Sequence, residues 1–258
     1  MVSENQDQAA DNEPVLEESD VALPDLPPVT STFLFGGTYI GEGLRAAWTR
    51  LRVGGAKPRI RSIAVVSSNE GDGKTSVALG LAAAAANAGQ KTVLIDADLR
   101  RRQADVLLGI EPLPGLAEWL EHGQRVLPLR RLAPAGFYLL SAGKAPCRPE
   151  LLSSPRMTRL LKVVEGSFDL AVLDCAPLLP VADSLALRDQ VSGFILVVRA
   201  RHSPREGVAR VASLLGKRRI LGTLMNAYDS RLSMRKGHQY GYGSSYRYGP
   251  RYRDIRHS

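Results

Sequence analysis

Short apolar runs recur through the middle of the chain, separated by stretches with helical spacing. Ser62–Ser67 (SIAVVS) reads as a buried strand, and a Gly-rich turn leads from it into an Ala-rich helix over Thr75–Ala88. Thr92–Ile95 (TVLI), Leu170–Leu173 (LAVL), Phe194–Val198 (FILVV) and Ile220–Met225 (ILGTLM) read as further strands. Helical segments are expected at Asp183–Asp189, at Arg205–Lys217, and from Ser154 to about Val164. Ser154 supplies a cap for the last of these, and Pro155 suits its first position. Unbroken apolar runs mark strands buried on both faces. Alternation of β and α elements then predicts an α/β fold, a mostly parallel sheet flanked by helices.

The pattern fades at both ends. Residues 1–30 are rich in Glu, Asp and Pro, show no periodicity, and are expected to form a disordered acidic lead. Residues 231–258 hold five of the eight tyrosines among Gly, Ser and Arg and are expected to be a flexible tail. A single catalytic domain is expected over residues 31–230. Its longest uncharged stretch, Thr75–Gln90, falls short of the ~20 apolar residues a membrane span needs. Charge sharpens the same division. The net charge of +8 splits into −8 over residues 1–30, +6 over residues 231–258 and +10 between them. Such a basic balance suits an anionic membrane face, nucleic acid or a phosphate-rich ligand. Cys147 and Cys175 are too few for a disulfide framework, so a reducing, cytoplasmic setting is expected.

Three motifs carry chemistry. Ser68-Asn69-Glu70-Gly71-Asp72-Gly73-Lys74-Thr75 lies between a strand and a helix, where backbone N–H groups and the helix dipole attract phosphate. Lys74 can reach the terminal phosphates and the Thr75 hydroxyl can hold Mg²⁺, although Ser68 stands where the pattern has its first glycine. In Val93–Arg100, Asp96 and Asp98 leave the end of a strand in the same direction, as paired carboxylates suited to Mg²⁺ or to accepting a hydroxyl proton. Asp174 ends the Leu170–Leu173 strand, where P-loop enzymes place an outer metal ligand. Histidines 122, 202, 238 and 257 share no metal-like spacing. Arg100–Arg102 and Lys217–Arg219 read as solvated basic faces.

In this order and spacing, the motifs resemble those of the bacterial tyrosine kinases (BY-kinases) over roughly residues 40–258. These are cytoplasmic modules associated with exopolysaccharide and capsule assembly, related to the partitioning and division-site ATPases. The shared features are Gly71-Asp72-Gly73-Lys74-Thr75, Asp96-x-Asp98-x-Arg100, Asp174-x-x-Pro177, the Leu151–Met157 stretch and the tyrosine-rich tail. The resemblance implies ATP and Mg²⁺ as cofactors. Nucleotide would be held by Glu70, Gly71, Asp72, Gly73, Lys74, Thr75 and Ser76, with Asn226 against adenine. Thr75, Asp98 and Asp174 would hold the metal, and Asp96 would act as base. Tyr240, Tyr242, Tyr246, Tyr248 and Tyr252 would accept phosphate.

Implied partners are a membrane activator of the chain-length-determinant type, further copies of the chain and a cognate tyrosine phosphatase. Location at the inner membrane would come through the activator. The family's Glu-x-x-Arg-x-x-Arg assembly helix reads Ala46, Thr49, Arg52 here, which puts ring assembly of the usual kind in question. A 28-residue Gly-rich tail spans roughly 30 Å, against a radius of gyration of about 16 Å for a 200-residue domain, so reach is no obstacle. The alternatives are a partitioning-type ATPase and a scaffold that binds ATP without transferring phosphate. Asn69 stands where partitioning ATPases carry an extra lysine, and the tyrosine tail has no place in them. A tail that stacks on nucleic acid is the remaining alternative; nucleic acid is not an expected partner.

Overall fold

The computed structural model describes residues 13–35, 39–53 and 60–227. The expected tail over residues 231–258, with its five tyrosines, lies outside the described residues. In chain order come β1 (Val15–Ala22), α1 (Pro28–Phe35), α2 (Tyr39–Val53), β2 (Ser62–Ser67), α3 (Lys74–Asn87), β3 (Thr92–Asp96) and α4 (Gln103–Leu108). A π-helical turn (Glu118–His122) precedes β4 (Val126–Ala133) and β5 (Tyr138–Leu140). A 3-10 turn (Pro149–Ser153) leads into α5 (Pro155–Ser167) and β6 (Leu170–Asp174). Another 3-10 turn (Asp183–Leu187), β7 (Gly193–Arg199), α6 (Arg205–Leu215) and β8 (Ile220–Asn226) follow. The segment expected to be helical at Asp183–Asp189 is therefore only a short 3-10 turn.

The eight strands lie in the order β1-β4-β5-β3-β6-β2-β7-β8. All neighbours are parallel except β4 and β5, so β1 and β4 run against the other six. The mostly parallel sheet expected from the apolar runs is present.

The acidic lead is corrected in part. Val15–Ala22 is not disordered; it adds a parallel edge strand beside β4, from Val15 opposite Val126 to Ala22 opposite Ala133. Most of its side chains face water, which is why no apolar alternation announced it. Leu16 and Val21 still pack against the core, and Glu18 Oε1 meets Lys91 Nζ at 2.7 Å.

Alternation along the central strands splits the core between the two faces of the sheet. Ala64, Val66, Val93, Ile95, Ala171, Leu173, Phe194 and Leu196 join the face covered by α5, α6 and the Trp119 turn. Ile63, Val65, Leu94, Leu170, Val172, Ile195 and Val197 join the face covered by α1, α2, α3 and α4. The α3 helix is almost entirely apolar because it lies sandwiched between the sheet and other helices. At Gly80 an added Cβ would lie 2.3 Å from Leu44 Cδ1 and 3.1 Å from the Phe33 carbonyl, so only glycine lets α1 and α2 approach. Ser154 caps α5 as expected, its Oγ accepting from Met157 N at 3.4 Å.

The alternation of β4 is polar on the inside at one point. Arg130 turns inward to the Asp105 carboxylate, the Ser141 hydroxyl and the Glu111 carbonyl, tying β4 to α4. The pair is almost wholly buried. Burial pushes the Asp105 carboxyl up from its ordinary range, and the Arg130 charge opposes that.

Candidate active site

The P-loop leaves the end of β2, between β6 and β7, and closes into the first turn of α3. Gly71 and Gly73 adopt φ of +75° and +90°, a region costly to any residue with a Cβ. Gly73 is also pressed from outside: a Cβ there would lie 2.1 Å from Asn226 Nδ2. Lys74 opens α3 with its side chain largely buried. The loop is braced by its own residues, with Ser67 Oγ donating to the Asn69 carbonyl at 2.7 Å.

The carboxylates converge on this loop. Asp96 and Asp174 are register partners at the ends of neighbouring strands β3 and β6. Strand alternation places both on the α3 face, where Leu94 and Val172 point. Asp96 is fully buried, its Oδ1 accepting from Asp98 N and its Oδ2 from Ala104 N, each at 3.1 Å. Asp98 accepts from Arg101 N at 3.1 Å, which closes the turn after β3.

Asp174 differs from both. It is fully buried, and neither carboxylate oxygen has a hydrogen-bond partner. Burial pushes its carboxyl up to about 7, against the pull of the Thr75 hydroxyl and the Lys74 ammonium. Thr75 is thus close enough to act on Asp174 without the geometry that would satisfy either oxygen. The Asp98 charge raises both Asp174 and Asp96 further, and burial is the main reason that Asp96 is raised.

An orphaned, dehydrated carboxylate beside a hydroxyl and a phosphate cradle fits a hard divalent cation. Mg²⁺ keeps several waters and takes only one or two protein ligands beside phosphate oxygens. Among the described residues no three His, Cys, Asp or Glu side chains are placed to hold a metal unaided.

Other residues of the site had no local signal. His202 Nδ1 lies 3.0 Å from Asp72 Oδ1, and Ser203 Oγ donates to the same oxygen at 2.8 Å. Arg199 Nη1 donates to the Gly71 carbonyl at 2.7 Å. These contacts join residues about 130 positions apart. Asn226, implied to meet adenine, donates from Nδ2 to the Asp72 carbonyl at 2.9 Å.

The arginines after β3 are not a plain solvated face. Arg100 Nε meets Asp183 Oδ2 at 2.6 Å, Arg101 pairs with Glu70 of the P-loop, and Arg102 donates to the carbonyls of Gly143 and Ala145. Arg219 likewise donates to the Arg188 and Val191 carbonyls. Ala46, Thr49 and Arg52 all lie on α2, where Thr49 Oγ1 donates to the Arg45 carbonyl at 2.9 Å. Among the described residues, no helix is long and apolar enough to cross a membrane.

Comparison with known proteins agrees with this geometry. The family described as the CobQ/CobB/MinD/ParA nucleotide binding domain matches residues 63–239. The tyrosine-protein kinase YwqD of Bacillus subtilis (strain 168) is 30% identical over 205 residues, covering 78% of this chain and 85% of YwqD. EpsB of Ralstonia solanacearum is 30% identical over 221 residues, 84% of this chain, but the chain spans only 28% of the length of EpsB. Among solved structures, the kinase domain of the Escherichia coli tyrosine kinase ETK superposes with a TM-score of 0.71 at 25% identity, covering 85% of this chain and 86% of that domain.

Proposed function

The chain belongs to the CobQ/CobB/MinD/ParA nucleotide-binding family and, within it, to the bacterial tyrosine kinases, and on that premise we propose that it transfers the γ-phosphoryl group of ATP to tyrosines of its own 231–258 segment. The observation that carries the reading is the buried Asp174 carboxylate, both oxygens unpartnered, beside Lys74 and Thr75 at the mouth of the P-loop. The P-loop amides and Lys74 bind and orient the phosphates. Thr75 and Asp174 would hold Mg²⁺. The ion would neutralise charge on the bridging and terminal phosphate oxygens.

The base implied by resemblance was Asp96, but both its oxygens are engaged by backbone N–H groups and it has no exposure. We assign it to positioning the turn after β3, and assign to Asp98 the acceptance of the phenolic proton. Topology supports the substrate. The β8 strand is parallel to β2 through β7, so the chain leaves Asn226 on the sheet edge that carries the P-loop. The acceptors are then Tyr240, Tyr242, Tyr246, Tyr248 and Tyr252.

Each phosphate adds about −1.5 to −2 charge to the basic tail, which would weaken its hold on an anionic surface or an acidic partner. A membrane activator of a polysaccharide export system, a cognate phosphatase and a homo-oligomer remain the partners proposed by resemblance. Purified protein incubated with Mg²⁺ and ATP, with and without such an activator, should carry phosphotyrosine between residues 240 and 252 by mass spectrometry. Lys74→Ala and the variant with all five tyrosines changed to Phe should carry none. Unmodified tyrosines in the wild type under both conditions would overturn the assignment.

A further inference from the structure

The turn that follows β7 reaches across to the P-loop and grips it at Gly71 and Asp72. Its centre is Asp72, a P-loop carboxylate with no solvent exposure. Asp72 Oδ2 accepts from Asn69 N at 3.1 Å and from Ser68 Oγ at 3.3 Å, both within the loop. Asp72 Oδ1 faces outward to the turn, taking Ser203 Oγ at 2.8 Å and lying 3.0 Å from His202 Nδ1. Ser203 Oγ in turn accepts from Arg199 N at 2.8 Å. The turn is bent to make this possible: Arg201 takes φ +62°, and the N–H groups of His202 and Ser203 both close on the Arg199 carbonyl. A non-glycine residue in the left-handed region persists only where surrounding contacts hold it there.

Two backbone contacts give the grip its consequence. Arg199 Nη1 holds the Gly71 carbonyl at 2.7 Å and Asn226 Nδ2 holds the Asp72 carbonyl at 2.9 Å. In a planar trans peptide the N–H points opposite to the carbonyl of the same unit. Fixing those two carbonyls therefore aims the N–H groups of Asp72 and Gly73 the other way, towards the interior of the loop. Among the described residues, neither N–H has a backbone acceptor, which leaves both for phosphate oxygens.

We propose that the Arg199–Ser203 turn is a positioning element for ATP binding: through the buried Asp72 carboxylate and the two clamped carbonyls it sets the P-loop in its phosphate-ready shape before nucleotide arrives. A preformed loop has no ordering cost to meet on binding, so the device acts on affinity. It predicts that His202, Ser203 and Arg199 govern the Kd and KM for ATP and leave kcat nearly alone, although none of them needs to touch the transferred phosphate. The proposal rests on the kinase reading only for kcat; the affinity measurement stands without it.

The test is the Kd of a fluorescent ADP analogue with Mg²⁺ for wild type, Ser203→Ala, His202→Ala and their double variant, beside kcat at saturating ATP and urea unfolding without nucleotide. Loss of one hydrogen bond to a buried carboxylate should weaken binding about tenfold, with kcat within about threefold and Ser203→Thr restoring the affinity of wild type. A folded Ser203→Ala variant that binds the analogue as wild type does would overturn the proposal. So would a variant whose kcat falls while its Kd is unchanged. Should the double variant fail to fold, the comparison of Ser203→Ala with Ser203→Thr decides alone. A wild type that binds the analogue but labels no tyrosine would count against the kinase reading and leave this inference standing.

Discussion

Replacing Asp174 with Asn should make the protein more stable, and by an amount that depends on pH. The folded-state pKa is raised, from an ordinary 3.8 to about 7. The folded chain therefore holds a proton that the unfolded chain releases, and stability is lost as pH rises from about 4 to about 7. At about 1.36 kcal/mol per pH unit, the full loss is about 4 kcal/mol above pH 7, of which roughly a third is already lost at pH 5. Asn carries no proton to lose, so the advantage of Asp174→Asn over wild type should grow by about 3 kcal/mol between pH 5 and pH 8. Any constant penalty from the new amide cancels in that difference. Urea unfolding in EDTA at the two pH values, followed by far-UV circular dichroism, reads it directly. Adding Mg²⁺ and ADP should then stabilise wild type by mass action and Asp174→Asn far less. An advantage equal at both pH values, or larger at pH 5, would show that Asp174 is not held in the costly, dehydrated state that the metal reading requires.

Gly73→Ala should abolish nucleotide binding in a fluorescence titration, because the Cβ meets Asn226 Nδ2 in a backbone conformation that itself costs ~1–2 kcal/mol. Removing the clash with Asn226→Gly should recover only part of the loss. Asp98→Asn should bind nucleotide but transfer phosphate at least ~100-fold more slowly if it accepts the phenolic proton, whereas Asp96→Asn should lower the unfolding midpoint, since an amide N–H₂ is set against a backbone N–H. Arg130→Met should cost about 3–5 kcal/mol by leaving Asp105 buried without its cation, while Arg130→Met with Asp105→Leu should come within about 1 kcal/mol of wild type in urea unfolding.

Much of the fold was legible because the central strands are buried on both faces and leave unbroken apolar runs. That holds for β2, β3, β6, β7 and β8, each within a residue or two of its expected bounds. The edge was not legible for the same reason reversed. β1 lies largely in water, β5 is three residues long, and β4 carries Arg130 where an apolar side chain was the natural expectation. At the site, the coming together of Lys74, Thr75 and Asp174 could be expected from the order of strand, loop and helix. The engagement of both Asp96 oxygens by backbone N–H groups could not, because alternation gives direction but not which oxygens the backbone has already taken. His202 and Ser203 gave no signal at all. Their partner, Asp72, is about 130 residues away, and only the β2–β7 pairing brings the two turns together.

The edge strand has a consequence for how the chain comes off the ribosome. Ser19 meets Leu129, 110 positions further along the chain, and β1 pairs along its whole length with Val126–Ala133. β1 is thus made before its partner and must wait for more than a hundred further residues before it can pair. Glu17, Glu18 and Asp20 keep it hydrated through that interval and discourage it from zipping to another nascent copy. The acidity that disguises it as an unstructured leader is what lets it arrive late.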